Sequence, residues 1–335
     1  MSGLKYATIL FFTLVAGFFS FVGASRYVTH IQSTVNYVWP ARPPQATIIF
    51  GGDMMFDRSI RTVIDQKGGL PAPAGGQAGD FIFSCIDDVL KNSDMVVANL
   101  EGPITEHESV SASSTPGGEF NYTFTFPTST APLLFKHNIR VVNLGNNHIL
   151  NFGTAGARST ISELEKAGVW NFGDPLSQTV ATSTVNGIQF AFINYNEFNP
   201  VEHSNILKNV GMSSTTIEQI QLVRKTGALP IVYAHWGIEY ATTSSAYSRE
   251  LAHSFVDAGA EIVIGSHPHV VQESEAYKGK RIYYSLGNFI FDQYFNEDVR
   301  KGLLLKVKFG HRGVLSVKEI PIELGRDRRT CVIEY

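Results

Sequence analysis

Residues 261–269 read Glu-Ile-Val-Ile-Gly-Ser-His-Pro-His. The β-branched run Ile262-Val263-Ile264 predicts a buried strand, Gly265-Ser266 stops it, and His267 and His269 follow one residue apart. A strand that ends in such a turn delivers both imidazoles to its carboxyl end. Pro268 fixes its own φ and favours an extended backbone at His267, so both rings can be aimed at one point with little entropy left to lose. The pair suits a metal ion; taken alone, it also fits a surface turn that happens to hold histidines.

Working outward, the pattern of strand, polar turn and helix recurs. Thr47-Ile48-Ile49-Phe50 predicts a strand closed by Gly51-Gly52-Asp53, and residues 94–99 predict a second one ending in Asn99-Leu100-Glu101-Gly102. A third, at 140–144, ends in Gly145-Asn146-Asn147-His148, and a fourth, at 229–233, ends in Ala234-His235-Trp236-Gly237. Helical spacing is found over 58–66, 81–92, 154–167, 213–226 and 245–258. This alternation predicts an α/β fold, in which polar side chains gather at the carboxyl ends of the strands. Residues 120–126 alternate as an edge strand would, and 179–195 form a hairpin around Asn186-Gly187. Short strands are expected at 281–286, 303–309 and 314–322, and loops at 67–79 and 109–118.

Five strand ends therefore carry Asp53, Asn99 with Glu101, Asn147 with His148, His235, and His267 with His269, including four of the ten histidines. Carboxylate, amide and imidazole together are ligands for one or two divalent ions, with Mn, Zn and Fe all suited. Such ions lower the pKa of a bound water and polarise a phosphoryl or carbonyl oxygen, while His148 could protonate a leaving group. Each residue also has a plainer reading: Asp53 as a helix cap, Asn147 as a turn residue, His235 as a core histidine beside Trp236. Arg58 either contacts an anionic substrate group or lies on a solvated helix face.

Charge is nearly balanced over the 335 residues, with 27 basic and 30 acidic side chains and no Lys/Arg-rich block. Nucleic acid is excluded as a partner on that ground. Residues 7–24 carry no charge and lie between Lys5 and Arg26, which predicts a membrane anchor or signal segment, with Val22-Gly23-Ala24 resembling a cleavage site. The expected organisation is a cytoplasmic N-terminus at 1–6, the anchor at 7–24, a Pro-containing stalk at 25–46, one domain at 47–325 and a polar tail at 326–335. The domain then lies outside the cytoplasm on a single-pass cell-membrane protein. Cys85 and Cys331 allow one disulfide, and Cys85 reads as a small core residue.

The segments Gly52-Asp53-Met54-Met55-Phe56-Asp57-Arg58, Asn99-Leu100-Glu101-Gly102-Pro103-Ile104-Thr105, Asn147-His148-Ile149-Leu150-Asn151-Phe152-Gly153, His235-Trp236-Gly237-Ile238-Glu239-Tyr240, Gly265-Ser266-His267-Pro268-His269-Val270 and Tyr284-Ser285-Leu286-Gly287-Asn288-Phe289 resemble the CapA-type capsule and poly-γ-glutamate synthesis family. The resemblance runs from about residue 47 to about residue 310. It implies a four-layer α/β/β/α sandwich of the calcineurin-like metallophosphoesterase type. It also implies Asp53, Asn147, His235, His267 and His269 as metal ligands, Glu101 or Asn99 in the bridging position, and His148 as the acid. The chain departs from the metallophosphoesterase pattern at Met55, where a histidine is usual, which leaves one metal a ligand short. Ser266 stands in place of the first histidine of Gly-His-His-Pro-His, and Asn151 in place of an aspartate. Two functions follow: a metal-dependent hydrolase or transferase acting on an anionic surface polymer or its precursor, or a non-catalytic subunit working beside other membrane subunits of polymer synthesis.

Overall fold

A computed structural model describes residues 43–68, 79–176, 180–198 and 206–333, with the backbone alone at 66–68 and 206–212. The expected anchor and most of the stalk lie outside the described residues; no described helix is long and apolar enough to cross a membrane. From Pro44 on, the chain forms one compact unit.

The fold is mixed α/β with two sheets. In chain order the first sheet contains β1 (Ala46–Met54), β2 (Met95–Leu100), β3 (Ile139–Asn143) and β4 (Trp170–Phe172), all parallel. The second contains β5 (Val180–Val185), β6 (Ile188–Asn196), β7 (Leu229–His235), β8 (Ile262–Ser266), β9 (Ser274–Tyr277) and β10 (Lys280–Tyr283), in the order β5-β6-β7-β8-β10-β9. The chain then returns to the first sheet with β11 (Asn288–Ile290), β12 (Lys301–Gly310), β13 (Gly313–Leu324) and β14 (Thr330–Val332), giving the order β14-β13-β12-β1-β2-β3-β4. β11 lies off that path, parallel to the far end of β1, with Asn288 opposite Asp53.

Seven α-helices are described: α1 (Arg58–Gly68), α2 (Asp80–Phe83), α3 (Asp87–Lys91), α4 (Thr130–Lys136), α5 (Gly153–Ala167), α6 (Ile206–Thr226) and α7 (Ala246–Ala258). Three apolar cores explain why the central strands read as continuous β-branched runs. Phe50, Val97, Val141 and Leu305 of the first sheet pack with Phe190, Ile231, Tyr233 and Ile264 of the second. The alternate residues Ile49, Val96 and Val142 turn the other way, onto Ile60, Ile82 and Leu164 of the helices. Val232 and Val263 turn outward from the second sheet onto Ile220, Leu251 and Phe255.

The sheets thus face each other, and the polar strand ends come from two sheets rather than one. Several local expectations change. Residues 120–126 form no edge strand: Glu119–Tyr122 is a 3-10 turn, and Phe124 and Phe126 are buried among helix residues, Phe126 against Phe56 at 5.8 Å. Only Phe124 and Phe126 of the alternating aromatics are buried; Phe120 and Tyr122 are exposed. The helix expected from 81 to 92 is interrupted at 84–86, where Cys85 is exposed and forms a disulfide with Cys331. That bond and β14 place part of the expected polar tail on the sheet edge. α6 spans Ile206–Thr226, so the helix expected over 213–226 extends further toward its N-terminus. The Asn186-Gly187 turn is as expected, with both residues at positive φ.

Candidate metal centre

Every expected ligand lies where a strand gives way to a loop, and the facing of the two sheets brings these loops together. Asp53 ends β1, Glu101 follows β2, and His235 and Ser266 end β7 and β8. Asp53, Asn99 and Glu101 are fully buried. His267 and His269 are nearly so, and both hold positive φ, 95° and 59°. The expected extended backbone at His267 is therefore absent. The left-handed turn is stabilised by a hydrogen bond from His267 N to Asp53 Oδ2 at 3.0 Å, and strain of this kind clusters at functional sites.

Two ligand groups emerge, and Glu101 belongs to both. Glu101, His235 and His267 form one; Asp53, Glu101 and His269 form the other, with ligand atoms in each within 4.8 Å of one another. Glu101 Oε1 is 3.6 Å from His269 Nε2 and 4.0 Å from His235 Nε2. Neither Glu101 oxygen, nor His267 Nδ1, has a hydrogen-bond partner among the described residues. A buried carboxylate left this way is costly unless a cation takes up its lone pairs, so the donor set fits a divalent metal.

Asn99 has another task. Its Nδ2 donates to Asp53 Oδ1 at 2.8 Å, and its Oδ1 accepts from Asn143 and Asn146 at 2.9 and 3.2 Å. That leaves Glu101 as the residue placed to bridge. Asn147 Oδ1 lies 2.9 Å from His235 Nε2 at the mouth of the first group. Met55 is buried in the apolar core with its sulfur against Asp57 N, away from the ligands. The helix-cap role considered for Asp53 falls to Asp57, whose carboxylate accepts from Arg58 N and Thr125 N.

Burial governs the electrostatics. It raises Asp53 to about 7 against the opposing hydrogen bonds from His267 N and Asn99, and raises Glu101 well above the usual carboxylate value, aided by Asp53 and Glu239. Burial lowers His267 and His269 to about 3 and His235 well below its ordinary value. His148 is held at about 4 by burial, with Arg58 adding to the effect and Asn151 opposing it. Neutral imidazoles are what a metal requires.

His148 lies with its Nε2 3.9 Å from Glu101 and its ring 4.4 Å from that of Phe124. Asn151 Nδ2 donates to Tyr122 O, so its Oδ1 accepts from His148 Nδ1 at 2.9 Å and Nε2 is the free nitrogen. Asn151 and Ser266 thus support histidines despite departing from the family pattern; Ser266 Oγ sits 3.0 Å from His235 Nδ1.

Arg58 is only 14% exposed, paired with Asp292 at 2.5 Å, and lies over the rings of Phe124 and Phe291. It lines a cleft of about 520 Å³ together with Tyr122, Tyr240 and Phe295. The expectation of a solvated helix face does not hold. Sequence reasoning did not assign Asn288, Asp292, Gln293 or Tyr240, although Asn288 and Tyr240 stand inside quoted motifs. Asn288 follows a Gly after a strand, as Asp53 does, and that signal could have found it.

A family model described as bacterial capsule synthesis protein PGA_cap matches residues 47–293, which include every candidate ligand. The chain is 28% identical to the PGA biosynthesis protein CapA of Bacillus subtilis, over 82% of this chain and 70% of that one. It is 27% identical to the capsule biosynthesis protein CapA of Bacillus anthracis, over 83% and 67%. A probable polyglutamine synthesis accessory protein of Mycobacterium tuberculosis is 21% identical, over 85% and 87%. With the matched region spanning both sheets and both ligand groups, the chain belongs to the CapA-type bacterial capsule synthesis (PGA_cap) family.

Proposed function

We propose that this protein is an exported accessory enzyme of capsule or poly-γ-glutamate biosynthesis, a metal-dependent hydrolase or transferase acting on an anionic surface polymer or its precursor. One observation carries the catalytic part: Glu101 presents two buried carboxylate oxygens with no hydrogen-bond partner to two groups of ligands at once. The names of the relatives support the biosynthetic role. The three stacked cores support a four-layer α/β/β/α sandwich of metallophosphoesterase type.

Asp53, Glu101 and His269 would hold one ion, and Glu101, His235, His267 and Asn147 the other. Bound there, a divalent cation supplies Lewis acidity toward a phosphoryl or carbonyl oxygen and acidifies a water. Arg58 offers a fixed positive charge at the cleft wall, where it orients an anionic group of the polymer. His148 exchanges protons at Nε2. Its ring is neutral near pH 7, so it accepts a proton before it can act as the expected acid.

Attachment to the membrane through residues 7–24, with the domain outside, is part of the same proposal. The Cys85–Cys331 disulfide supports it, since such bonds persist in oxidising compartments. A non-catalytic subunit is the second reading, favoured by Met55 being committed to the core where metallophosphoesterases usually carry a ligand. Metal analysis of the purified chain, with a screen of phosphodiester and γ-glutamyl hydrolysis, separates the two. Bound metal with turnover supports the enzyme, and a folded protein that binds no metal sinks it.

A further inference from the structure

Asn288 begins β11, fully buried and opposite Asp53. Its Nδ2 lies 2.9 Å from Val299 O, 3.3 Å from His269 O and 3.0 Å from Gln293 Oε1. The first two are backbone carbonyls, which only accept, so this end of the side chain is the amide nitrogen and the other end is the oxygen. That oxygen lies 2.9 Å from His269 Nδ1. Asp53 Oδ2, also an acceptor, is 3.5 Å from the same nitrogen. A neutral ring facing two acceptors carries its proton on Nδ1 and its lone pair on Nε2. Nε2 is the atom that faces Glu101 Oε1 at 3.6 Å.

We propose that Asn288 is a positioning residue of the metal centre: it fixes His269 as the Nδ1–H tautomer and presents Nε2 as the ligand atom. Partners of this kind orient metal-binding histidines and raise their basicity. The chain of contacts continues outward. Gln293 Nε2 donates to Tyr240 Oη at 3.2 Å, and Tyr240 N donates to Pro268 O at 2.8 Å. The orientation of His269 is thereby tied through Asn288 and Gln293 to a residue of the cleft wall. The role as ligand support rests on the metal reading above, whereas the tautomer is a property of the metal-free chain.

The test uses the full-length chain labelled with 15N-histidine, in which ring-nitrogen shifts distinguish protonated from bare nitrogens. The His269 signals are those missing from His269→Gln. Metal-free protein at neutral pH is expected to show a protonated Nδ1 and a bare Nε2; the reverse overturns the proposal without any variant at Asn288. Zn2+ titrations of Asn288→Ala and Asn288→Asp follow. Asn288→Ala removes both ends of the amide, whereas Asn288→Asp keeps an oxygen facing Nδ1 and sets its other oxygen against Val299 O, His269 O and Gln293 Oε1. Affinity for one zinc should fall about 10–100-fold in Asn288→Ala and by less in Asn288→Asp. Equal loss in both would show that the donor contacts alone matter, and would overturn the proposal. A wild-type chain that binds no zinc would sink the metal reading, while the ring shifts still decide the role of Asn288.

Discussion

Asn147 Oδ1 and His235 Nε2 face each other at 2.9 Å, at the edge of a buried space into which Glu101 turns both unpartnered oxygens. With Nε2 protonated the contact is a hydrogen bond from the ring to Asn147, and Asn99 Nδ2 then faces the bare Nδ1 at 3.4 Å; with the proton on Nδ1 the two atoms are neighbouring lone pairs open to one cation. Replacing His235 separates a satisfied histidine from a ligand.

Stoichiometry should follow the sharing of Glu101. His235→Ala and His267→Ala remove ligands from one group and should each lower metal content by one ion, whereas Glu101→Gln should remove both. In the metal-free state Glu101→Gln should melt no lower than wild type, because it removes a buried carboxylate that nothing satisfies. Metal present at about 100-fold over its Kd should stabilise wild type by about 2.7 kcal/mol for each ion bound and leave Glu101→Gln unchanged. Melting curves with and without chelator, run beside elemental analysis, check both statements. A His235→Ala protein with full metal and a lower melting temperature would instead mark His235 as a core residue.

The pH dependence of the metal-free protein has two opposing parts. Asp53 titrates near 7 when folded against 3.8 in its ordinary state, and Glu101 is raised likewise. The folded chain then holds extra protons across this range, and its stability falls as pH rises. His148, His235, His267 and His269 are all depressed from 6.5. Between that value and about 3–4 the unfolded chain binds the extra protons, so the folded state loses stability as pH falls. Below 6.5 the four depressed histidines outnumber the raised carboxyls Asp53, Glu101 and Glu197, so stability there falls as pH falls. Metal-free stability should therefore be greatest near pH 6.5. Metal binding must displace the protons of Asp53 and Glu101, so affinity should rise from pH 6 to 8 with measurable proton release in calorimetry.

What could be read from the sequence was what strand periodicity controls. Ile262–Ile264 and Leu229–Tyr233 are apolar on both faces because each face meets its own core, and this placed His235, His267 and His269 at strand ends. That the ends belong to two facing sheets could not be read, because pairing is non-local. The amide network around Asn99 was hidden for the same reason: Asn143 reads as a strand residue and Asn146 as a turn residue, with nothing to link them to Asn99 until β2 and β3 are set side by side. Phe120–Phe126 misled because the alternating aromatics share no face: Phe124 and Phe126 enter the core, whereas Phe120 and Tyr122 stay exposed.

The disulfide gives a prediction about the C-terminal strand. Cys85 and Cys331 are 246 residues apart, and their bond holds β14 to the turn between α2 and α3. Only three register pairs join β14 to β13. Cys331→Ser should cost about 2–4 kcal/mol, and it should open the segment at Arg326–Arg329 to trypsin while the centre of the protein stays intact. Limited proteolysis with mass spectrometry, with and without reductant, reads this out. Equal resistance in both states would show that the strand is held by its backbone alone.

Gly52 makes the sharpest packing prediction, because it stands one residue before Asp53 at the crossing of β1 and β11. A Cβ on Gly52 would lie 1.8 Å from Gly287 O, a backbone atom with no rotamer to escape into. Asp53 N donates to that same oxygen at 3.1 Å, and Asn288 follows it in sequence. Gly52→Ala must therefore push β1 and β11 apart at the point where they carry the candidate ligand Asp53 and Asn288, the proposed support of His269. Overpacking of this kind costs about 1–3 kcal/mol and sometimes more, and with backbone on both sides the upper end applies. Gly187→Ala is the control: its φ of 80° is unfavourable for alanine, but nothing lies within 4 Å, so about 1–2 kcal/mol is expected from backbone conformation alone. Denaturant midpoints should rank wild type, Gly187→Ala and Gly52→Ala in falling order. Metal affinity should be unchanged in Gly187→Ala and lowered in whatever fraction of Gly52→Ala folds. If Gly52→Ala binds metal as wild type does, the spacing of β1 and β11 is not what positions Asp53 and His269.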